Sequence, residues 1–193
     1  MDQLTDEQLM LRFSKGEQPA FAELYQRHKG SLYRYFVRQL GAQHKARAEE
    51  LFQDVWFCVI DTRGSYEVTA KFTTWLYRIA HNMVIDEHRK KLSEDAYLNQ
   101  VEQDDTIHLD ENTLTQRKHS ALKHCMEQLA PLQREAFLLK NEAGFSASQI
   151  CEIVDAKAEA VKTRLRYAMN QLRDCLTRKL GSNLWHHQLK MKK

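Results

Sequence analysis

The sequence predicts an all-α protein built as two small helical domains, an N-terminal helical bundle and a C-terminal helix-turn-helix, joined by a flexible acidic linker. Three observations predict it. Only six Gly and two Pro occur in 193 residues, about 4% against roughly 12% on average, which leaves too few turn formers for a sandwich, a barrel or a Gly-rich dinucleotide fold. Apolar residues recur three and four apart over most of the chain, the spacing of helix faces. Charge is segregated: residues 1–91 carry 14 basic and 12 acidic side chains, 92–116 carry seven acidic and no basic ones, and 117–193 carry 15 basic and seven acidic. The apolar periodicity breaks where the sign of the charge changes.

Composition also excludes classes. Charged residues make up 28% of the chain, and no apolar run approaches the ~20 residues that span a bilayer, so no membrane insertion is expected. The opening Met1-Asp2-Gln3-Leu4-Thr5-Asp6-Glu7 is acidic and polar, unlike a signal peptide. A cytoplasmic protein is the expectation. Cysteines 58, 125, 151 and 175 are widely and irregularly spaced, without a CxxC pair or zinc-ligand spacing. They read as free, buried thiols behaving as small hydrophobes, with no metal and no cofactor. No nucleophile elbow, P-loop or zinc motif is present, so no enzyme is expected.

Each element has its own signal. Thr5 and Gln8 are spaced as a capping box, opening a short helix that ends near Gly16. Pro19 suits the first turn of a second helix, which runs toward Gly41 with Phe21, Leu24, Tyr25, His28, Leu32, Tyr35, Phe36 and Leu40 at helical spacing. A third covers about 47–61, with Leu51, Phe52, Val55, Trp56 and Val59 on one stripe and Glu49, Glu50, Gln53 and Asp54 on a polar edge. A polar, aromatic and basic loop, 62–71, leads into a fourth helix from about Thr73 to Lys91, whose terminal cations suit a helix C-terminus.

Residues 92–116 bear too little apolar surface to offset chain entropy and read as the linker. Helical pattern returns near Arg117, stops at Pro131, and resumes over Arg134 to Ala143. Ser146 and Gln149 form a second capping box, Asp155-Ala156-Lys157 a tight turn, and a long helix runs to Leu180 before Gly181. The resulting domains are 1–91, 117–181 and a short basic tail, 182–193.

Segment 146–170 has the helix-turn-helix shape. On its second helix Val161, Leu165, Ala168, Leu172 and Leu176 share one face, and Glu159, Lys162, Thr163, Arg166, Tyr167 and Asn170 the opposite one. Such a helix fits the major groove, where Lys and Arg donate to guanine and Glu159 can accept from cytosine. Arg164 on the flank suits a phosphate. The same polar face also suits a solvated side of a bundle. Upstream, Arg63, Tyr66, Lys71, Phe72, Trp75, Tyr77, Arg78, His81 and Asn82 mix rings with cations, the combination that stacks unpaired bases and tracks phosphates. Phe72, Trp75 and Ile79 equally suit a core.

The run Ala48-Glu49-Glu50-Leu51-Phe52-Gln53-Asp54-Val55-Trp56, the run Phe72-Thr73-Thr74-Trp75-Leu76-Tyr77-Arg78-Ile79-Ala80-His81-Asn82, the acidic linker, and Leu129-Ala130-Pro131-Leu132-Gln133-Arg134-Glu135-Ala136-Phe137 before Gly144-Phe145-Ser146 follow one another in order. Together they resemble the extracytoplasmic-function (ECF) sigma factors of bacterial RNA polymerase over about residues 10–180. The resemblance implies a factor that binds core RNA polymerase, directs it to promoter DNA and helps open the minus-ten element, with an anti-sigma factor as a further partner. It assigns Leu51, Gln53, Asp54 and Trp56 to the polymerase. It assigns Ser65, Tyr66, Lys71, Phe72, Trp75, Arg78 and Asn82 to the minus-ten element. Glu159, Lys162, Thr163, Arg164, Arg166 and Tyr167 fall to the minus-thirty-five duplex, and the linker to the polymerase channel. Where the family often carries Pro-x-Gly-Thr, this chain has Lys157-Ala158-Glu159-Ala160, which removes a rigid helix entry and adds an acid at the DNA face.

Overall fold

A computed structural model of the chain describes residues 4–97 and 114–181. The described residues form eight α-helices and no strand. The first four are α1 (Asp6–Ser14), α2 (Gln18–Leu40), α3 (Lys45–Asp61) and α4 (Phe72–Tyr97). The second four are α5 (Leu114–Glu127), α6 (Pro131–Asn141), α7 (Ala147–Ile153) and α8 (Ala158–Leu180).

Local chemistry sets the boundaries. Both expected capping boxes form: Thr5 accepts the Gln8 N–H and Ser146 the Gln149 N–H, while each Gln side chain accepts its cap residue's N–H. Pro19 sits in the first turn of α2, and Gly41, at φ 90°, ends that helix in a conformation glycine adopts without strain. Two boundaries differ from the sequence reading. Pro131 opens α6 as well as closing the segment before it, because its missing N–H costs nothing at a first helical position. Helix α4 runs on to Tyr97 and α5 begins at Leu114, so both ends of the expected linker are helical. No Gly or Pro lies between Arg89 and Leu114 to stop α4 earlier. The rest of the linker, 98–113, and the basic tail, 182–193, lie outside the described residues.

In the N-terminal half α2 packs on α1 and α3, and α4 closes the bundle against α3. Leu24, Leu32, Phe36, Val55, Val59, Phe72, Leu76 and Val84 are almost fully enclosed there. Asp6 pins α1 to α2 through Arg27 at 2.9 Å and His28 at 2.7 Å. Glu7 then accepts the Phe72 N–H at 2.9 Å, so α1 caps the start of α4. Arg47 on α3 bonds Glu87 on α4, and the two carboxylates beside it, Glu87 and Glu50, hold its pKa above the ordinary value.

In the C-terminal half α8 packs against α5, α6 and α7 around Leu138, Leu139, Ile150, Ile153, Val161, Ala168, Leu172 and Leu176. Cys125 of α5 and Cys175 of α8 are joined in a disulfide across a sequence separation of 50 residues, with Cα atoms 5.8 Å apart. This corrects the expectation of four free thiols. Folding brings together two cysteines that linear spacing does not relate, and only Cys58 and Cys151 stay free. The halves are themselves in contact: α4 lies on α7 and α2 on α6.

Candidate nucleic-acid interface

Helix α4 carries two buried faces and one exposed stripe. Phe72, Leu76, Ala80 and Val84 face the N-terminal core, and Thr74, Tyr77 and His81 are covered as well. Lys71, Arg78 and Asn82 stay exposed, with Trp75 half-buried in line between them. Steps of four, three and four residues put these side chains on one side of the helix. Ser65 is exposed in the loop before it. Four of the seven expected minus-ten residues, Lys71, Trp75, Arg78 and Asn82, thus share one side, and Ser65 is exposed apart from them in sequence.

The other two are core residues. Phe72 is fully enclosed, against the His28 ring at 5.6 Å. Tyr66 is 8% exposed, edge-on to Trp75 at 5.1 Å, and burial pushes its hydroxyl pKa up to about 12. Phe72 also meets Trp75 at 5.8 Å and Tyr66 at 6.3 Å, so Tyr66, Phe72 and Trp75 form one ring cluster whose buried members support Trp75.

Helix α3 divides the same way. Gln53 and Asp54 are exposed as expected, whereas Leu51 and Trp56 are each 4% exposed and belong to the core. Trp56 meets Phe21 and Tyr25 edge-on, at 5.8 Å and 5.1 Å, and those contacts fix the helix's rotation. Sequence reasoning missed Phe57, which is 60% exposed beside Gln53 and Asp54. Its signal was positional: residue 57 falls off the 48, 51, 55, 59 stripe and lies one helical turn from both polar residues.

Helices α7 and α8 make the helix-turn-helix. Asp155 occupies the turn at φ 44°, a left-handed conformation that Asp tolerates. Val161, Ala168, Leu172 and Leu176 anchor α8, with Leu165 partly buried beside them. Glu159, Lys162, Arg166 and Tyr167 are exposed, and Thr163 and Arg164 half-exposed, so all six expected residues reach the surface. The Arg166 guanidinium rests over the Tyr167 ring at 5.5 Å, which limits its freedom before any ligand arrives. Lys157 at the start of α8 makes no side-chain cap, in keeping with the missing Pro-x-Gly-Thr entry.

Among the described residues no group of three or more His, Cys, Asp or Glu side chains is placed to hold a metal ion. No described helix is long and apolar enough to cross a membrane.

Comparison with known proteins agrees with this arrangement. Residues 24–93 match the Sigma-70 region 2 family, and residues 119–172 match Sigma-70, region 4. The chain is similar to RNA polymerase sigma factor CarQ of Myxococcus xanthus, 31% identical over 86% of this chain and 95% of that one. It is also similar to the ECF RNA polymerase sigma factor SigW of Bacillus subtilis, 30% identical over 82% and 90% of the two chains. Its fold is like that of sigma factor RpoE of Bartonella quintana, solved in complex with the anti-sigma factor NepR: the TM-score is 0.68 at 24% identity, over 81% of this chain and 96% of that one. With both sigma-70 segments present in order, and relatives of this identity matched over nearly their full length, the chain belongs to the ECF sigma factors, the non-enzymatic subunits that give RNA polymerase its promoter specificity.

Proposed function

We propose that three exposed faces divide the work of this sigma factor. Gln53, Asp54 and Phe57 on α3 dock on core RNA polymerase. Trp75, Arg78 and Asn82 on α4, with Lys71 just before it and Ser65, hold the unpaired minus-ten strand. Glu159, Lys162, Thr163, Arg166 and Tyr167 on α8 read the minus-thirty-five duplex, with Arg164 on a phosphate. The observation that carries this reading is the exposed stripe on α4: a ring, two cations and an amide stand in line on a helix whose other sides are buried. Rings stack on bases of any sequence while cations follow the backbone, the combination single strands require.

The two domains, expected over 1–91 and 117–181, extend to the ends of α4 and α5, the acidic linker between them follows the polymerase channel, and the protein works in the cytoplasm. An anti-sigma factor completes the set of partners, supported by the likeness to a sigma factor solved with one. Each DNA surface is small and binds weakly alone. Holding both on one polymerase raises the effective concentration of each.

In-vitro transcription with purified core polymerase tests the reading. The wild-type chain should confer initiation on a subset of genomic fragments. Asp54→Ala and Phe57→Ala should weaken core binding about tenfold each, the loss of roughly 1.4 kcal/mol, with helicity unchanged by circular dichroism. Core polymerase that initiates no better with the chain than without it would refute the assignment.

Arg166→Ala separates two kinds of DNA contact. A bidentate contact to guanine predicts a loss of about 1–3 kcal/mol confined to one promoter position. A phosphate contact predicts an equal loss on every sequence and a shallower salt dependence. Holoenzyme binding to a set of single-base promoter variants distinguishes them.

A further inference from the structure

Helix α1 lies ahead of residues 24–93, the segment that matches Sigma-70 region 2, and the function proposed above gives it no part. Its contacts converge on the entry to α4. The Lys71 carbonyl accepts the first intrahelical bond of α4, from the Trp75 N–H at 3.1 Å, so Lys71 stands at the cap position. The side chains that close a helix entry are Ser, Thr, Asp and Asn, which offer an oxygen to the first free N–H groups. A lysine offers none, and its charge opposes the positive end of the helix dipole. The first turn, Phe72-Thr73-Thr74-Trp75, holds no acid to offset it.

The missing acceptor comes from 65 residues away: Glu7 Oε1 accepts the Phe72 N–H at 2.9 Å. Burial raises the Glu7 pKa, but the Phe72 N–H, its own N–H and the Thr5 hydroxyl together outweigh burial and hold it below the ordinary carboxylate value. The carboxylate is therefore ionised at neutral pH, at the positive end of α4. Its position is fixed twice. The Thr5–Gln8 capping box sets the start of α1, and the neighbouring Asp6 is held by Arg27 and His28 of α2. The His28 ring returns to Phe72 at 5.6 Å. Phe72 in turn meets Trp75 at 5.8 Å, and Tyr66 meets it at 5.1 Å. Direct contacts thus run from Glu7 through Phe72 to Trp75.

We propose that Glu7 is a positioning residue for promoter opening: it caps α4 from outside, so that the cap position itself can present a cation to DNA. An acid or a hydroxyl at residue 71 would close the helix locally, but it would give up a charge that tracks phosphates. Placing the acceptor on α1 keeps both, because Lys71 stays exposed while Glu7 lies half-buried behind it. Without Glu7 the first turn of α4 frays. Trp75 ends that turn, so the turn must be ordered again each time a strand is captured. This role rests on the reading of α4 as the minus-ten surface.

Permanganate reactivity of unpaired thymines tests it, with saturating holoenzyme on a promoter fragment that the wild-type chain transcribes. Glu7→Ala should lower opening about fivefold, the factor that a lost helix cap implies. Glu7→Gln keeps an acceptor oxygen and should recover to within about twofold of wild type, the shortfall being the lost charge at the helix end. Val55→Ala trims a fully enclosed side chain of the same core. It should lower the unfolding midpoint and leave opening at the wild-type level. Should Glu7→Ala lose helicity, Glu7→Asp, one methylene shorter in reach, takes its place with a smaller loss expected. Normal opening by the shortened variant, Glu7→Gln no better than it, or Val55→Ala equally defective each overturn the positioning role. Trp75→Ala separates this role from the reading beneath it. If Trp75→Ala opens the promoter normally, or the wild type opens none, the assignment of α4 falls and the role of Glu7 with it. If Trp75→Ala is defective and Glu7→Ala is not, the role of Glu7 falls alone.

Discussion

Replacing Arg134 by Ala should destabilise the protein by about 4 kcal/mol, more than any surface substitution proposed here. The last carbonyls of an α-helix have no intrahelical partner. At the end of α5 Met126 O accepts the Leu129 N–H at 3.1 Å, and one side chain supplies the other donors: Arg134 Nε donates to Met126 O at 3.0 Å, and Nη2 donates to Glu127 O at 2.7 Å and Leu129 O at 3.1 Å. Its Nη1 crosses to Gln39 O at 2.9 Å. Pro131 has no N–H to offer these carbonyls, so the turn depends on the guanidinium. Bonds to charged donors contribute about 1.5–3 kcal/mol each, and acceptors left buried and unpaired cost about 1–3 kcal/mol; two such losses give the stated figure. Urea denaturation followed by circular dichroism measures it. Arg134→Lys should recover only part, because an ammonium cannot span the fork of carbonyls that a planar guanidinium does. A loss below 1 kcal/mol for Arg134→Ala would mean that water replaces these bonds at little cost.

Arg134 also shows where sequence reasoning stops. It stood inside a motif that pointed to the second domain, yet nothing in linear spacing says that it closes the helix before it and touches α2. The helices themselves were legible, because apolar spacing, capping boxes and Pro or Gly at the ends act within a few residues. The α8 face was legible for the same reason, since one helix has one buried side. On α3, α4 and the loop between them the motif merged two classes of residue. Leu51, Trp56, Tyr66 and Phe72 accompany the exposed side chains but lie in the core. Phe57 drew no assignment from the sequence and is exposed. Burial depends on which neighbours pack against the helix, and a helix such as α4, covered on two sides, has no single apolar stripe to read. The Tyr35–Glu135–His81 contact spans 100 and 54 residues and left no local signal.

Reducing the Cys125–Cys175 disulfide should lower the stability of the helix-turn-helix domain by about 4 kcal/mol, the chain-entropy value for a loop of this length. The separation of 50 residues encloses α6, α7 and most of α8. Without the bond, the unfolded ensemble regains the freedom that closing that loop removed. The loss should fall unevenly. On α5 the enclosed side chains are few, mainly Ala121, Cys125 and Met126, so apolar contact alone holds this helix weakly. On α8, Val161, Ala168, Leu172 and Leu176 remain anchored in either redox state. Hydrogen exchange after reduction should therefore quicken most over 117–127 and least over 161–176. Denaturant melts of oxidised and dithiothreitol-treated protein give the total, with Cys125→Ala as the control that no longer responds to reductant. Equal protection of α5 in both states would show that packing against α8, and not the covalent bond, sets the local stability of the helix-turn-helix domain.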